Sequence, residues 1–191
     1  MTKEMLNEEI IFAGFGGQGV LSMGMVLAYA GMIEKREVCW MPSYGPEMRG
    51  GTANCIVIVS EESISSPIVT TFDTAVVLNQ PSLDKFESAV RKDGILIYDS
   101  TNIINPPTRE DITIVPIAAS TEAVKMENKR IMNMIVLGSL LGVKPVVAVE
   151  SVIEALRKVL PERHHKLLPL NEKAIRRGIE LAQADSAVEA E

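Results

Sequence analysis

Glu9-Ile10-Ile11-Phe12-Ala13-Gly14-Phe15-Gly16-Gly17-Gln18-Gly19-Val20 decides the fold. A β-branched and aromatic run, a glycine cluster and an apolar stretch from Val20 onward read as a strand, a tight turn and a helix start. Glycines in such a turn let backbone N–H groups approach a bound group closely, and the helix start adds partial positive charge, so the turn suits a phosphate or carboxylate. Gly14, Gly16 and Gly19 satisfy G-x-G-x-x-G, which alone is a weak sign of a dinucleotide site. Close packing of the helix on its sheet is the alternative use of the same glycines.

The stretch after the turn, with Val20, Leu21, Met23, Met25, Val26, Leu27, Ala28 and Met32, is too apolar for an ordinary surface helix. A second strand is expected at residues 37–41, stopping at Pro42, and short, β-branched runs follow at 54–59, 74–79, 94–98 and 112–116, as expected of strands buried on both faces. A helix is expected over 81–90, where Pro81 suits a first turn and Leu83, Phe86 and Val90 recur at helical spacing. Others are expected over 131–141, ending at Gly142, from a capping box at Ser151-Val152-Ile153-Glu154 to Pro161, and over 171–183. The alternation predicts an α/β fold: a three-layer α/β/α sandwich with a mostly parallel central sheet and a Rossmann-like first unit. One domain is expected over 1–184, with a frayed tail over 185–191.

Composition narrows the partners. The chain has 191 residues, 47% of them apolar, and a net charge of −6, with no basic tract to neutralise a run of phosphates, so no nucleic-acid partner is expected. No apolar run reaches membrane-spanning length and the N-terminal residues are too polar for a secretory signal, which predicts a cytoplasmic protein with no membrane partner. Cys39 and Cys55, the two cysteines, lack the spacing of a metal or iron–sulfur site, so no metal ligand and no catalytic residue is assigned. His164 and His165 adjoin in a polar connection and read as incidental, and Asp73 and Asp99 as turn or capping residues.

A nicotinamide-type Rossmann site also needs an acidic residue near the end of the second strand, to hold the ribose hydroxyls. That strand ends in Cys39-Trp40-Met41-Pro42, with Glu34 and Glu37 ahead of it. The next stretch, Ser43-Tyr44-Gly45-Pro46-Glu47-Met48-Arg49-Gly50-Gly51, leaves the strand at the sheet edge where open α/β folds bind ligands. Its prolines and glycines favour one defined loop shape, and Arg49 suits a forked contact with a phosphate or carboxylate. Met41 and Met48, flanking the loop, are expected in a subunit contact.

Gly14 to Val20, then Ser43 to Gly51, then Asn128-Lys129-Arg130-Ile131-Met132-Asn133-Met134 together resemble the gamma subunit of 2-oxoacid:ferredoxin oxidoreductases, of the 2-oxoglutarate and branched-chain 2-oxoacid type. The likeness extends to about residue 180, and an equivalent domain occurs within single-chain pyruvate:ferredoxin and indolepyruvate oxidoreductases. It implies an accessory subunit of a heteromeric enzyme that oxidatively decarboxylates a 2-oxoacid to an acyl-coenzyme A. Thiamine diphosphate, magnesium and iron–sulfur clusters are then expected on alpha, beta and delta-type partner subunits, with ferredoxin reached indirectly. This chain is expected to hold no tight cofactor, to be inactive alone, to pack near the coenzyme A site and to self-associate when isolated.

Within that resemblance, the cofactor-binding candidates are Gly16, Gly17, Gln18, Gly19, Ser43, Tyr44, Arg49, Gly50 and Asn128, with Asn133 bracing the loops beside Asn128. The rival readings are a stand-alone dinucleotide-binding oxidoreductase and a non-enzymatic nucleotide-binding module.

Overall fold

The structure is a computed structural model and describes residues 5–44 and 51–188. The strands are β1 (Asn7–Phe15), β2 (Glu37–Tyr44), β3 (Thr52–Ser60), β4 (Phe72–Val77), β5 (Val90–Asp99) and β6 (Thr113–Ile117). The helices are α1 (Val20–Ile33), α2 (Gln80–Phe86), α3 (Ala119–Lys125), α4 (Met132–Val143), α5 (Val149–Val159) and α6 (Leu168–Val188). One six-stranded sheet runs in the order β2-β3-β1-β4-β5-β6. β1, β4, β5 and β6 pair in parallel, whereas β3 runs antiparallel to both β1 and β2, so five strands share one direction. The C-terminal ends of those five strands form one edge of the sheet, and the glycine turn leaves β1 there.

Alternation along β1 divides the core. Ile10 and Phe12 face one side, packed with α1, α3, α4, α5 and α6 in the larger cluster, while Ile11 and Ala13 face the smaller one. The smaller cluster is closed by Leu83 of α2, by Phe86, and by Ile103 and Ile112 of the loop between β5 and β6. The two helical layers of the sandwich are therefore unequal.

Several local expectations shift. β2 continues through Pro42, which pairs with Cys55, because β2 is the edge strand and a proline can face solvent with its missing donor. The helix expected over 81–90 ends at Phe86, and a 3-10 turn at Glu87–Ala89 leads into β5. Pro81 does lie in the first turn of α2, and the Asn79 side chain caps it by accepting from the Ser82 N–H at 2.9 Å. α5 starts at Val149, so Ser151 lies inside the helix rather than at its cap. α3, too short to show a periodicity, is absent from the sequence-based expectation. α6 runs on to Val188 through part of the expected tail, and residues 189–191 lie outside the described residues. Among the described residues no helix is long and apolar enough to cross a membrane.

α4 and α6 cross in close backbone contact through glycines. A methyl group added at Gly138 would collide with the Ile175 carbonyl, and one at Gly178 with the Ile135 carbonyl. Ser139 Oγ spans the same crossing, 3.0 Å from the Ile135 oxygen and 3.2 Å from that of Gly178. Gly142, expected as a helix stop, is instead within α4 and packs on Ile179. Over-packing such a contact costs about 1–3 kcal/mol. Gly138→Ala and Gly178→Ala should each lower stability by that amount in urea unfolding, and Gly142→Ala by less, since its nearest neighbours lie 3.0–3.2 Å from an added methyl.

Cys55 is fully buried beneath α1, and its thiol faces the Val20 carbonyl at 3.6 Å. The Trp40 indole N–H is buried beside that thiol. From an ordinary value of 9.0, burial pushes the Cys55 thiol up to about 12, against the opposing Trp40 indole and Gly24 backbone. The native protein thus keeps this proton to higher pH than the unfolded chain, and stability should fall as pH rises past about 9. Iodoacetamide at mildly alkaline pH should leave Cys55 unmodified in the native protein and alkylate it in denaturant.

Candidate functional site

The turn between β1 and α1 is built on two left-handed glycines, Gly17 at φ +96° and Gly19 at φ +80°. Gly19 is the N-cap of α1 and supplies no side-chain cap, so among the described residues no side chain caps the first-turn amides. Gln18 folds back across the turn. Its Oε1 accepts from the Phe15 N–H at 2.6 Å, and its Nε2 donates to the Leu78 carbonyl at 3.4 Å. Gly14 leaves the space that this folded side chain occupies, since an added methyl would lie 2.7 Å from Gln18 Oε1. Gln18 is therefore a brace between the ends of β1 and β4, rather than a side chain held out toward a ligand.

A second brace comes from the far end of the chain. The 3-10 turn Lys129–Ile131 begins at Asn128, whose Oδ1 accepts from the Arg130 N–H at 3.0 Å. Glu127 just ahead of it has φ +58°, a left-handed conformation that costs a non-glycine residue about 1–2 kcal/mol. Asn133 then packs directly against Gly19, where an added methyl would collide with its side chain. Asn128 thus shapes the turn, and Asn133 is the residue that touches the glycines.

These elements enclose a concavity of about 470 Å³ lined by Gly17, Gln18, Gly19, Ser22, Lys129, Arg130, Met132 and Asn133. Lys129 and Arg130 are exposed and beside the uncapped N-terminus of α1, whose dipole adds to their charge. Both stood within the Asn128–Met134 motif in the sequence but carried no assigned role. The signal for them is charge: two adjacent cations at the mouth of an anion-receptive turn. The arrangement suits a phosphate or pyrophosphate group, with backbone amides on one side and a guanidinium and an ammonium on the other.

The other expected residues divide. The Gly16 N–H donates to the Gly51 carbonyl at 3.0 Å, so the glycine turn and the end of the β2–β3 loop do meet, and the Gly16 amide is taken by that bond instead of being offered to a ligand as expected. Ser43 is exposed on edge strand β2 opposite Asn54 and does not line the concavity, and Tyr44 pairs with Ala53 at the strand end. Arg49 and Gly50, with Met48, lie outside the described residues. Elsewhere on this sheet edge, fully buried Asp99 accepts from the Thr101 N–H at 3.2 Å and from Asn102 Nδ2 at 2.6 Å, the turn role expected of it.

A nicotinamide-type site is disfavoured by topology as well as by sequence. In that fold the strand after the first helix lies next to β1 and carries the ribose-binding acid at its end. Here antiparallel β3 intervenes between β1 and β2, and Glu37 sits at the opposite end of β2, paired with Ser60.

The two turn glycines should respond differently to a methyl group. Among the described residues Gly17→Ala meets nothing within 4 Å, and it should cost the left-handed penalty of about 1–2 kcal/mol. Gly19→Ala adds the collision with Asn133 and should cost more; Asn133→Ala should restore part of the loss in a double-mutant cycle read by chemical denaturation.

Residues 9–181 match the model of the pyruvate ferredoxin/flavodoxin oxidoreductase family. Ketoisovalerate oxidoreductase subunit VorA of Methanothermobacter marburgensis is 38% identical over 182 residues, covering 94% of this chain and 37% of VorA. 2-Oxoglutarate synthase subunit KorC of Archaeoglobus fulgidus is 34% identical over 177 residues, covering 91% of this chain and 87% of KorC. This chain thus spans little more than a third of VorA and most of KorC. Among solved structures, the gamma subunit of the keto/oxoacid ferredoxin oxidoreductase of Geobacter sulfurreducens superposes with a TM-score of 0.81 at 28% identity, covering 94% of this chain and 98% of that one. A chain of the 2-oxoglutarate:ferredoxin oxidoreductase of Magnetococcus marinus, a structure with 2-oxoglutarate, coenzyme A and succinyl-CoA bound, gives 0.86 at 26%, covering 95% of this chain and 32% of that one. By the extent of the family match and by these relatives, the chain belongs to the pyruvate ferredoxin/flavodoxin oxidoreductase family.

Proposed function

We propose that this chain is the gamma-type subunit of a cytoplasmic, heteromeric 2-oxoacid:ferredoxin oxidoreductase, and that its glycine turn holds an anionic group of coenzyme A for partner subunits. The observation that carries this reading is the concavity in which the uncapped start of α1 meets Lys129 and Arg130. The family match and the gamma-subunit neighbour support the assembly. The coenzyme A-bound relative supports the ligand.

The overall reaction converts a 2-oxoacid, coenzyme A and two oxidised ferredoxins into an acyl-coenzyme A, carbon dioxide, a proton and two reduced ferredoxins. Thiamine diphosphate, magnesium and iron–sulfur clusters would be held by partner subunits of alpha, beta and delta type and would supply the carbanion chemistry and the route for the electrons. The residues of this chain bind and orient. First-turn amides of α1 and the cations Lys129 and Arg130 take the negative charge, while Gln18 and Asn133 fix the turn that presents those amides. Arg49, whose guanidinium suits a forked contact with a phosphate or carboxylate, is proposed as a further contact to the same ligand.

In the assembled complex, Lys129→Ala and Arg130→Ala should each raise the KM for coenzyme A by about 10- to 100-fold, the loss of one charge-assisted contact, with little change in kcat. Arg49→Ala should act in the same direction. Unchanged coenzyme A kinetics in all three variants, with assembly intact, would overturn the reading.

A further inference from the structure

Helix α1 contains no charged residue in its 14 positions, Val20 to Ile33. One side packs on the sheet through Val20, Met23, Val26 and Leu27. The other remains apolar. Leu21 and Met25 are half-buried, Tyr29 is 40% exposed and Met32 is 61% exposed. At 100° per residue these four fall within an arc of about 80°, so they form a single stripe along the helix. α6 shows the contrast: its outer face carries Glu172, Lys173, Arg176 and Glu180, as a solvated helix should.

The stripe starts at the ligand site. Leu21 and the exposed Ser22 also line a second concavity, of about 280 Å³, beside Phe15, Gly16, Gly17 and Gly19. Under the function proposed above, on which this inference rests, a ligand held at the turn reacts on another polypeptide, which must therefore abut the turn and the surface running away from it. The relatives add a second reason. In VorA of M. marburgensis and in the M. marinus chain the matched domain is 37% and 32% of the polypeptide, so most of each chain is a covalently attached companion. A permanently joined companion needs a contact face that stays covered, and faces of that kind are apolar and poor in charge.

We infer that the α1 stripe of Leu21, Met25, Tyr29 and Met32 is the docking face for a companion polypeptide of that kind. Methionine fits this use, because its flexible thioether adapts to a facing surface. The companion closes over α1 and completes the wall of the concavity at Leu21 and Ser22.

The test is assembly of the full chain with its co-expressed companion subunits. Tyr29→Glu and Met32→Lys change exposed positions, so the melting temperature of the isolated chain should not move. Each should weaken assembly by about tenfold or more, as loss of a central apolar contact does. Ile104→Lys, at a position 89% exposed on the loop after β5, should assemble normally. Normal assembly of both α1 variants beside an assembling wild type overturns the inference and leaves the proposed function standing. A wild type that binds no companion overturns both. An isolated dimer that the α1 variants split, with complex assembly unaffected, assigns the stripe to a second copy and also overturns the inference.

Discussion

Two left-handed glycines set the geometry on which the rest of this molecule depends. Gly17 and Gly19 reverse the chain between β1 and α1 in four residues, aim the start of α1 at the sheet edge, and leave room for Asn133 to press against the turn. Any side chain at Gly19 would displace Asn133, and with it the start of α4. The β1 end, the exit of β4 and the Lys129–Ile131 turn are thereby tied into one unit, with Gln18 bonding to the strands and Asn133 filling the remaining gap.

The helix layers give this unit its setting. Helices crowd one face of the sheet and leave the other thinly covered by α2 and loops, so the ligand edge opens between a rigid side and a lighter one. Rigidity on the heavy side comes from glycines as well. α4 and α6 touch backbone to backbone at Gly138 and Gly178, which fixes the helix that carries Asn133. A binding group held on braced backbone loses little ordering entropy when its ligand arrives, which suits the accessory role proposed for this chain.

Much of this was legible in the sequence because it rests on period and on glycine. Five of the six strands announce themselves by β-branched runs, β2 by the apolar Val38-Cys39-Trp40-Met41, and the turn by its G-x-G-x-x-G spacing. The order of the strands was not legible: nothing local in residues 54–59 says that β3 inserts antiparallel between β1 and β2, since pairing is a long-range choice. Pro42 looked like a stop because its tolerance depends on β2 being an edge. At the site, the glycines could be chosen from spacing alone, whereas Lys129 and Arg130 gained meaning only when the fold carried them more than a hundred residues back to the turn. Asn128 and Asn133 were seen as a pair, yet their division into turn cap and glycine contact is a matter of three-dimensional packing.

The central claim is that this chain supplies coenzyme A binding to an enzyme whose reacting groups sit on other subunits. Add-back is the most direct measurement: companion subunits purified without this chain are assayed for 2-oxoacid-dependent reduction of ferredoxin across a range of coenzyme A concentrations, then again with the chain restored. The account predicts that saturable dependence on coenzyme A returns only when the chain is present. Equal rates and the same coenzyme A dependence without it would contradict the account.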